Sequence, residues 1–305
     1  MNGGSELTRG WLEKTIARLA ADAPENKLIG FSGAVVFDPP LIGIADGGDP
    51  IFAELTRAVG PRHLRPRTFL VSRFPQGPRI RQVSIISWVL PFSTEVRESN
   101  RGEEWPSPLY SLARNQGQAL NQRLGRRLVA LLKAQGLTAA VPTLTGDYDI
   151  FHSPEFAYSS TWSERHVAFA AGLGRFGLNG SLITPLGSNV RLGSLVVGAA
   201  LEPSPRLSGT HRAACLESRG DVCRRCVDRC PVGAISPEGL DKRKCNARRK
   251  AVCERSLASL QKKYLLKRFR LPIDGARRWS YPLGCALCQC GLLCEGRDPF
   301  AEAIG

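Results

Sequence analysis

Cys223-Arg224-Arg225-Cys226-Val227-Asp228-Arg229-Cys230-Pro231 carries the spacing C-x₂-C-x₃-C-P, and Val232-Gly233-Ala234-Ile235 follows it. This is the closing part of the bacterial ferredoxin run C-x₂-C-x₂-C-x₃-C-P. In the full run three thiolates grip one 4Fe-4S cluster and the fourth reaches a second. The first position would fall on residue 220, which is Gly220. Cys215, eight residues before Cys223, takes its place, with Leu216–Val222 as a longer loop. Downstream, Cys245 follows the basic run Lys242-Arg243-Lys244, and Gly284-Cys285-Ala286-Leu287-Cys288-Gln289-Cys290-Gly291-Leu292-Leu293-Cys294 begins 39 residues after it. Eight ligands make two cubanes, which leaves Cys253 and Cys290 over as small buried apolar residues. Zinc is the competing reading, because C-x₂-C pairs also build Cys₄ zinc sites. The proline after Cys230 and the C-x₃-C-P spacing belong to ferredoxins.

All ten cysteines lie between Cys215 and Cys294. Met1–Trp11 shows no basic cluster followed by an apolar run, so a cytoplasmic location is expected. Dense cysteine in that setting means metal or redox chemistry rather than disulfides, and 305 residues bury a core without staples. The longest apolar stretches, around residues 83–92 and 192–201, are too short to span a bilayer, so no membrane is expected as partner.

Of the formal net charge of +15, +13 sits between Arg206 and Arg278, where 20 Lys/Arg face 7 Asp/Glu. Such a surface suits an acidic electron donor such as a ferredoxin or flavodoxin, a nucleic acid or an anionic substrate, or it is a solvated face that offsets anionic thiolates.

Residues 28–46 alternate apolar runs with Gly and Pro, as short strands or loops do. Arg81–Pro91 (RQVSIISWVLP) has the β-branched run of a buried strand. From Ser107, leucines at 109, 112, 120, 124, 128, 131 and 132 recur at helical spacing, and Gly136 supplies a stop. Thr138–Val141 resumes an extended pattern, so the order strand, long helix, strand predicts an α/β fold. A second helix is expected over 163–171, with Ser163 as its cap. Gly172-Leu173-Gly174-Arg175-Phe176-Gly177 then matches G-x-G-x-x-G, but a helix precedes it where the dinucleotide fingerprint needs a strand. It reads instead as a glycine turn against which a flat cofactor or a close backbone packs. Pro, Ser and Gly accumulate at 203–208, where the boundary between two domains is placed.

The order of these features resembles epoxyqueuosine reductases and respiratory reductive dehalogenases: the glycine turn, a ferredoxin run, a lone cysteine, then Gly284-Cys285-x-x-Cys288-Gln289. It is most similar to uncharacterised two-cluster relatives in which Trp162-Ser163-Glu164-Arg165-His166 precedes the glycines and a Cys-Glu pair like Cys294-Glu295 follows. The resemblance runs from about residue 80 to 299. It implies a nitroreductase-related, cobalamin-binding-like α/β module over residues 1–203 and a ferredoxin-like domain with two 4Fe-4S clusters over 204–305. It further implies Cys215, Cys223, Cys226 and Cys294 on one cluster and Cys230, Cys245, Cys285 and Cys288 on the other. Gly172, Gly174, Arg175, Phe176 and Gly177 would lie against the cofactor, and Tyr158 would stand at the position of the proton donor.

The function implied is an oxidoreductase acting on a small or nucleoside substrate. The reading from a different class is an electron-transfer protein with no substrate of its own. Three departures bear on this. Tyr158-Ser159-Ser160-Thr161 replaces an Asp-Thr-Ala-Pro-like segment, no twin-arginine signal is present, and the sequence ends 11 residues after Cys294 without the basic tRNA-binding repeats of many epoxyqueuosine reductases. A tRNA-binding role therefore ranks last. None of His63, His152, His166 and His211 is expected to be catalytic.

Overall fold

The computed structural model describes residues 7–300 apart from Ile29, Pro78, Glu103, Leu207 and Leu265. The first six residues of the stretch expected to lack a leader therefore lie outside the described residues. At the centre is a four-stranded antiparallel sheet in the order Leu41–Asp46, Ser84–Pro91, Val190–Val197, Ala139–Ala140. Every residue of Ser84–Pro91 is buried, because both faces of the sheet are covered. Period-2 alternation sends Ile86, Trp88 and Leu90 into one core and Ile85 and Val89 into the other.

The first core is closed by the helices Arg9–Ala21 and Pro108–Ala134. The second helix starts as its sequence requires: Ser107 accepts from the Tyr110 N–H at 2.9 Å, and Pro108 takes the first turn, where a missing N–H costs nothing. Its leucine stripe at 109, 112, 120, 124, 128 and 132 is buried, and Gly136 follows its end at φ +79°. The second core is covered by Ile51–Ala58, Pro66–Arg73 and the short helix Glu164–Ala170. The mixed α/β class and the expected strands and helices are thus present.

After Leu201 the elements become small: the turn Glu217–Arg219, the helix Arg225–Asp228, the long helix Lys242–Leu260 and the hairpin Phe269–Ile273/Ala276–Ser280. The chain between Cys245 and Cys285, opaque in the sequence, is this helix and hairpin. Both pack on a second hairpin, Ile150–Ser153/Ala157–Ser160, where Lys242 Nζ donates to the Tyr158 carbonyl at 3.3 Å and Asp274 N to the Ile150 carbonyl at 2.7 Å. No helix among the described residues is long and apolar enough to cross a membrane.

Candidate metal centre

The glycine turn is where the two parts of the chain meet. A Cβ on Gly172 would sit 2.4 Å from the Pro205 carbonyl oxygen, and one on Gly174 2.3 Å from that of Ile183. Only glycine admits such an approach, and Gly172 also needs its φ of +74°. Arg175 is buried and donates to the Ser208 carbonyl at 2.7 Å, while Phe176 packs against Phe169 and His166. Of the two alternatives left by the sequence, a close backbone is what fills Gly172 and Gly174. Gly177 opens onto thiols.

A small pocket is lined by Cys215, Cys223, Cys226 and Cys294 together with apolar groups of Leu178 and Ile183. Burial pushes the Cys226 thiol up to about 12, and the Cys215, Cys294 and Cys223 thiols beside it add to the rise. Burial likewise pushes Cys294 up to about 11, against a donor from Ser188 Oγ, with Cys215 and Cys223 again as neighbours. A second group forms around Cys288, which burial raises well above the ordinary thiol range; its neighbours are Cys245, Cys285 and Cys230, then Cys226. Cys245 is raised by burial and by Cys230 and Cys285. The Ala234 N–H donates to the Cys230 sulfur at 3.2 Å. Packed into low dielectric, Cys226, Cys245, Cys288 and Cys294 hold their protons until a positive charge compensates them. Among the described residues, no three His, Cys, Asp or Glu side chains converge closely enough to hold a single metal ion.

The two remaining cysteines stand outside both groups. Cys290 is fully buried in the first core and accepts from Asn189 Nδ2 at 2.8 Å and Asn100 Nδ2 at 3.3 Å. Cys253 donates to the Leu283 carbonyl at 3.4 Å.

Arg229, between Cys226 and Cys230, is a residue that the sequence reading passed over. Its guanidinium donates to the carbonyls of Asn100, Arg101, Gly102 and Leu287, tying the ferredoxin run to both the 100–102 loop and the 284–294 segment. Nearby, Glu295 is buried and pairs with Arg101 at 2.8 Å. Only the density of arginine in the motif hinted at such a role.

Tyr158 is half-buried on the 150–160 hairpin, with its ring edge-on to His152. Arg165 lies beside both Tyr158 and Cys245. The neighbouring Glu164 is half-buried as a residue, yet its carboxyl is desolvated and pushed up to about 8, although Ser194 Oγ donates to it at 2.6 Å. Trp162 Nε1 in turn donates to Ser194 Oγ at 2.9 Å. Burial first, then Arg165, His63 and Lys242, pushes His166 down to about 3; burial holds His63 near 4. Both rings are therefore neutral at pH 7.

A mixed α/β core is joined to a cysteine-rich segment whose thiols, partly buried, gather beside Gly177 of the glycine turn. Comparison with known proteins gives the particular likeness: the chain is similar to epoxyqueuosine reductases. It is 37% identical to that of Staphylococcus aureus over 129 residues, 42% of this chain and 28% of the relative. It is also 37% identical to that of Bacillus anthracis over 87 residues, 28% of this chain and 20% of the relative. The matches thus span under a third of the length of these curated relatives. The structure of the Bacillus subtilis enzyme superposes with a TM-score of 0.48 at 19% identity, over 95% of this chain and 66% of that one. An epoxyqueuosine reductase bound to an epoxyqueuosine-modified tRNA-Tyr stem loop gives 0.42 at 20% identity, over 77% and 56%. No family model matches the chain.

Proposed function

We propose that this chain is an iron–sulfur reductase of the epoxyqueuosine reductase type, holding two 4Fe-4S clusters and delivering electrons to a small or nucleoside substrate in the module of residues 1–203. The observation that carries the reading is the sorting of eight thiols into two groups of four, interleaved along the chain: Cys215, Cys223, Cys226 and Cys294, then Cys230, Cys245, Cys285 and Cys288. The donor set fits the clusters, being all sulfur and partly buried, with Cys215, Cys226, Cys230, Cys288 and Cys294 packed among apolar side chains. When bound, such clusters supply one-electron transfer over a wide range of potentials. Cys226 and Cys288 are neighbours across the two groups, which gives electrons a short passage between them. In this reading residues 204–305 form the ferredoxin-like domain, and residues 1–203 form the nitroreductase-related module.

Tyr158 is the proton donor of the proposal. Its hairpin is held by Lys242 from the helix that carries Cys245, so the hydroxyl lies near where electrons arrive. Cobalamin is the acceptor implied by the resemblance. The glycine turn, however, is no cradle for a corrin ring, since the chain's own carbonyls fill Gly172 and Gly174 and Arg175 is engaged with Ser208. No step is therefore routed through cobalamin. The filled turn favours a second reading, a two-cluster electron carrier without its own substrate.

Anaerobically isolated protein is expected to hold about eight irons and eight sulfides, as two cubanes require. A zinc-only preparation would end both readings. Turnover separates the two: reduction of a small or nucleoside substrate by the chemically reduced protein supports the reductase, and reduced clusters that are reoxidised only by a partner protein support the carrier.

A further inference from the structure

The helix Lys242–Leu260 breaks several rules of a stable surface helix. Of its 19 residues only Val252 and Leu260 are buried. Lys242, Arg243 and Lys244 crowd its first turn, where the macrodipole favours acids, and that turn contains none. The sole local compensation is Asp241, which caps the N–H groups of Arg243 and Lys244. A second triplet, Arg248, Arg249 and Lys250, follows one turn later. From Lys242 to Ser280 the chain has 14 Lys/Arg against Glu254 and Asp274. Among the described residues, no cation of this helix forms an ion pair; the salt bridges lie elsewhere. Lys242, Arg248, Arg249 and Arg255 are engaged by carbonyls, Asn246 or aromatic rings. Among the described residues no side-chain hydrogen bond or ring contact engages Arg243, Lys244 or Lys250, and local rules broken without compensation mark a functional surface.

Cys245 lies between the two triplets, on the same helix. We infer that the exposed side of this helix is the docking surface for an acidic one-electron carrier protein, which binds against Arg243, Lys244 and Lys250, across the helix from Cys245 of the Cys230/Cys245/Cys285/Cys288 group. The inference rests on the reading of that group as a cluster, which must be recharged from outside. Electron-transfer encounters use small, charged interfaces, and opposite charge raises their on-rates.

Trp279, on the hairpin that follows this helix in the chain, is 57% exposed. Arg268 and Arg270 lie over its ring at 4.8 and 5.6 Å. Trp and Arg are the residue types that anchor protein interfaces. A base-stacking platform needs a free ring, whereas this one is already engaged by guanidinium groups, so the observations favour a protein over RNA.

The test uses the full chain, purified anaerobically, and an acidic flavodoxin. Affinity is measured by calorimetry, and cluster reduction by stopped flow with reduced flavodoxin or reduced methyl viologen, a small cation. The triple variant Arg243→Glu/Lys244→Glu/Lys250→Glu should weaken flavodoxin binding and slow its electron transfer at low salt by at least about tenfold, the lower end of electrostatic steering. It should also flatten the salt dependence, with iron content and methyl viologen reduction not diminished. Trp279→Ala should weaken binding by about tenfold, as loss of an interface anchor does. Unchanged flavodoxin affinity and rate in the triple variant would overturn the inference, as would a variant that loses only affinity for an RNA stem loop. Protein without iron would count against the proposed function, and calorimetry would still decide the docking.

Discussion

The strand Ser84–Pro91 and the helix Lys242–Leu260 show two ways of holding a chain in place. All eight residues of the strand are buried between two apolar cores, whereas the helix buries two of 19. The sheet is held by the hydrophobic effect, which needs no ligand. Beside the cysteine-rich third the described residues form a small apolar cluster of Leu178, Ile183, Ala214, Cys215 and Ile235, with Cys226, Cys230, Cys288 and Cys294 packed against it. In the proposed reading the clusters supply part of its order, because metal binding at such a site is folding energy.

Removing one thiol tests that contrast at its largest. With Cys230 in the group of Cys245, Cys285 and Cys288, Cys230→Ala should lower iron from about eight to about four per chain and leave the other cluster formed, as the C-x₃-C crossover requires. Limited proteolysis should then cut within residues 242–280 while residues 41–197 stay protected. Complete loss of iron, or none, would contradict the interleaved grouping.

Arg229 is the next point at which the contrast can be broken. Replacing its guanidinium by an apolar side chain, Arg229→Leu, leaves four carbonyls without this donor. Hydrogen bonds to a charged group are worth roughly 1.5–3 kcal/mol each when buried, and partial exposure here brings the total to about 2–4 kcal/mol. The expected result is faster iron loss to a chelator, with little change in the unfolding of the sheet measured by far-UV circular dichroism.

These comparisons also show what a sequence can disclose. Leu109 to Leu132 and the run at 84–91 were legible because periodicity reports burial directly. The cysteine spacing was legible because cluster geometry constrains the chain locally. The helix and hairpin between Cys245 and Cys285 were not, since a polar, basic stretch has no apolar period to read. Neither was Arg229, whose acceptors at Asn100 and Arg101 lie more than 120 residues away. Glu164 stood in the sequence only as one member of the Trp162–His166 segment, while its carboxyl in fact meets Ser194 on a distant strand.

Glu164 allows a pH test on the sheet side of the comparison. Its carboxyl is pushed from 4.5 to about 8 on folding, so the native state holds a proton that the unfolded chain has lost. The stability this proton represents is complete below about pH 4.5 and is lost as pH rises towards 8. His63 and His166, lowered from 6.5 to about 4 and 3, act in the opposite sense: their contribution is present above 6.5 and is lost as pH falls through 4 to 3. Between 6.5 and 8 Glu164 acts without them. Over that interval Glu164→Gln should remove a decline in stability of about 1–2 kcal/mol, close to one proton over 1.5 pH units. Thermal unfolding at pH 6.5 and 8 measures it, and an unchanged slope in the variant would show that the carboxyl is ionised in the native state.

The smallest effects belong to the two cysteines outside the groups, and they sharpen the grouping because they should leave iron untouched. In Cys253→Ala a weak S–H donor to the Leu283 carbonyl is lost, at a cost below about 1 kcal/mol. Cys290→Ala removes an acceptor shared by Asn189 and Asn100 in the first core. Asn100 retains a contact with the Cys285 carbonyl at 3.3 Å and Asn189 one with that of Gln289 at 3.4 Å, so neither amide is fully orphaned. The expected loss is about 1–2 kcal/mol, the range for a partly satisfied buried donor. Iron should stay at about eight per chain in both variants. A fall to about four in Cys290→Ala would mean that Cys290, rather than Cys294, closes the first group, and that the Cys294 thiol in the pocket with Cys215, Cys223 and Cys226 is there for packing alone.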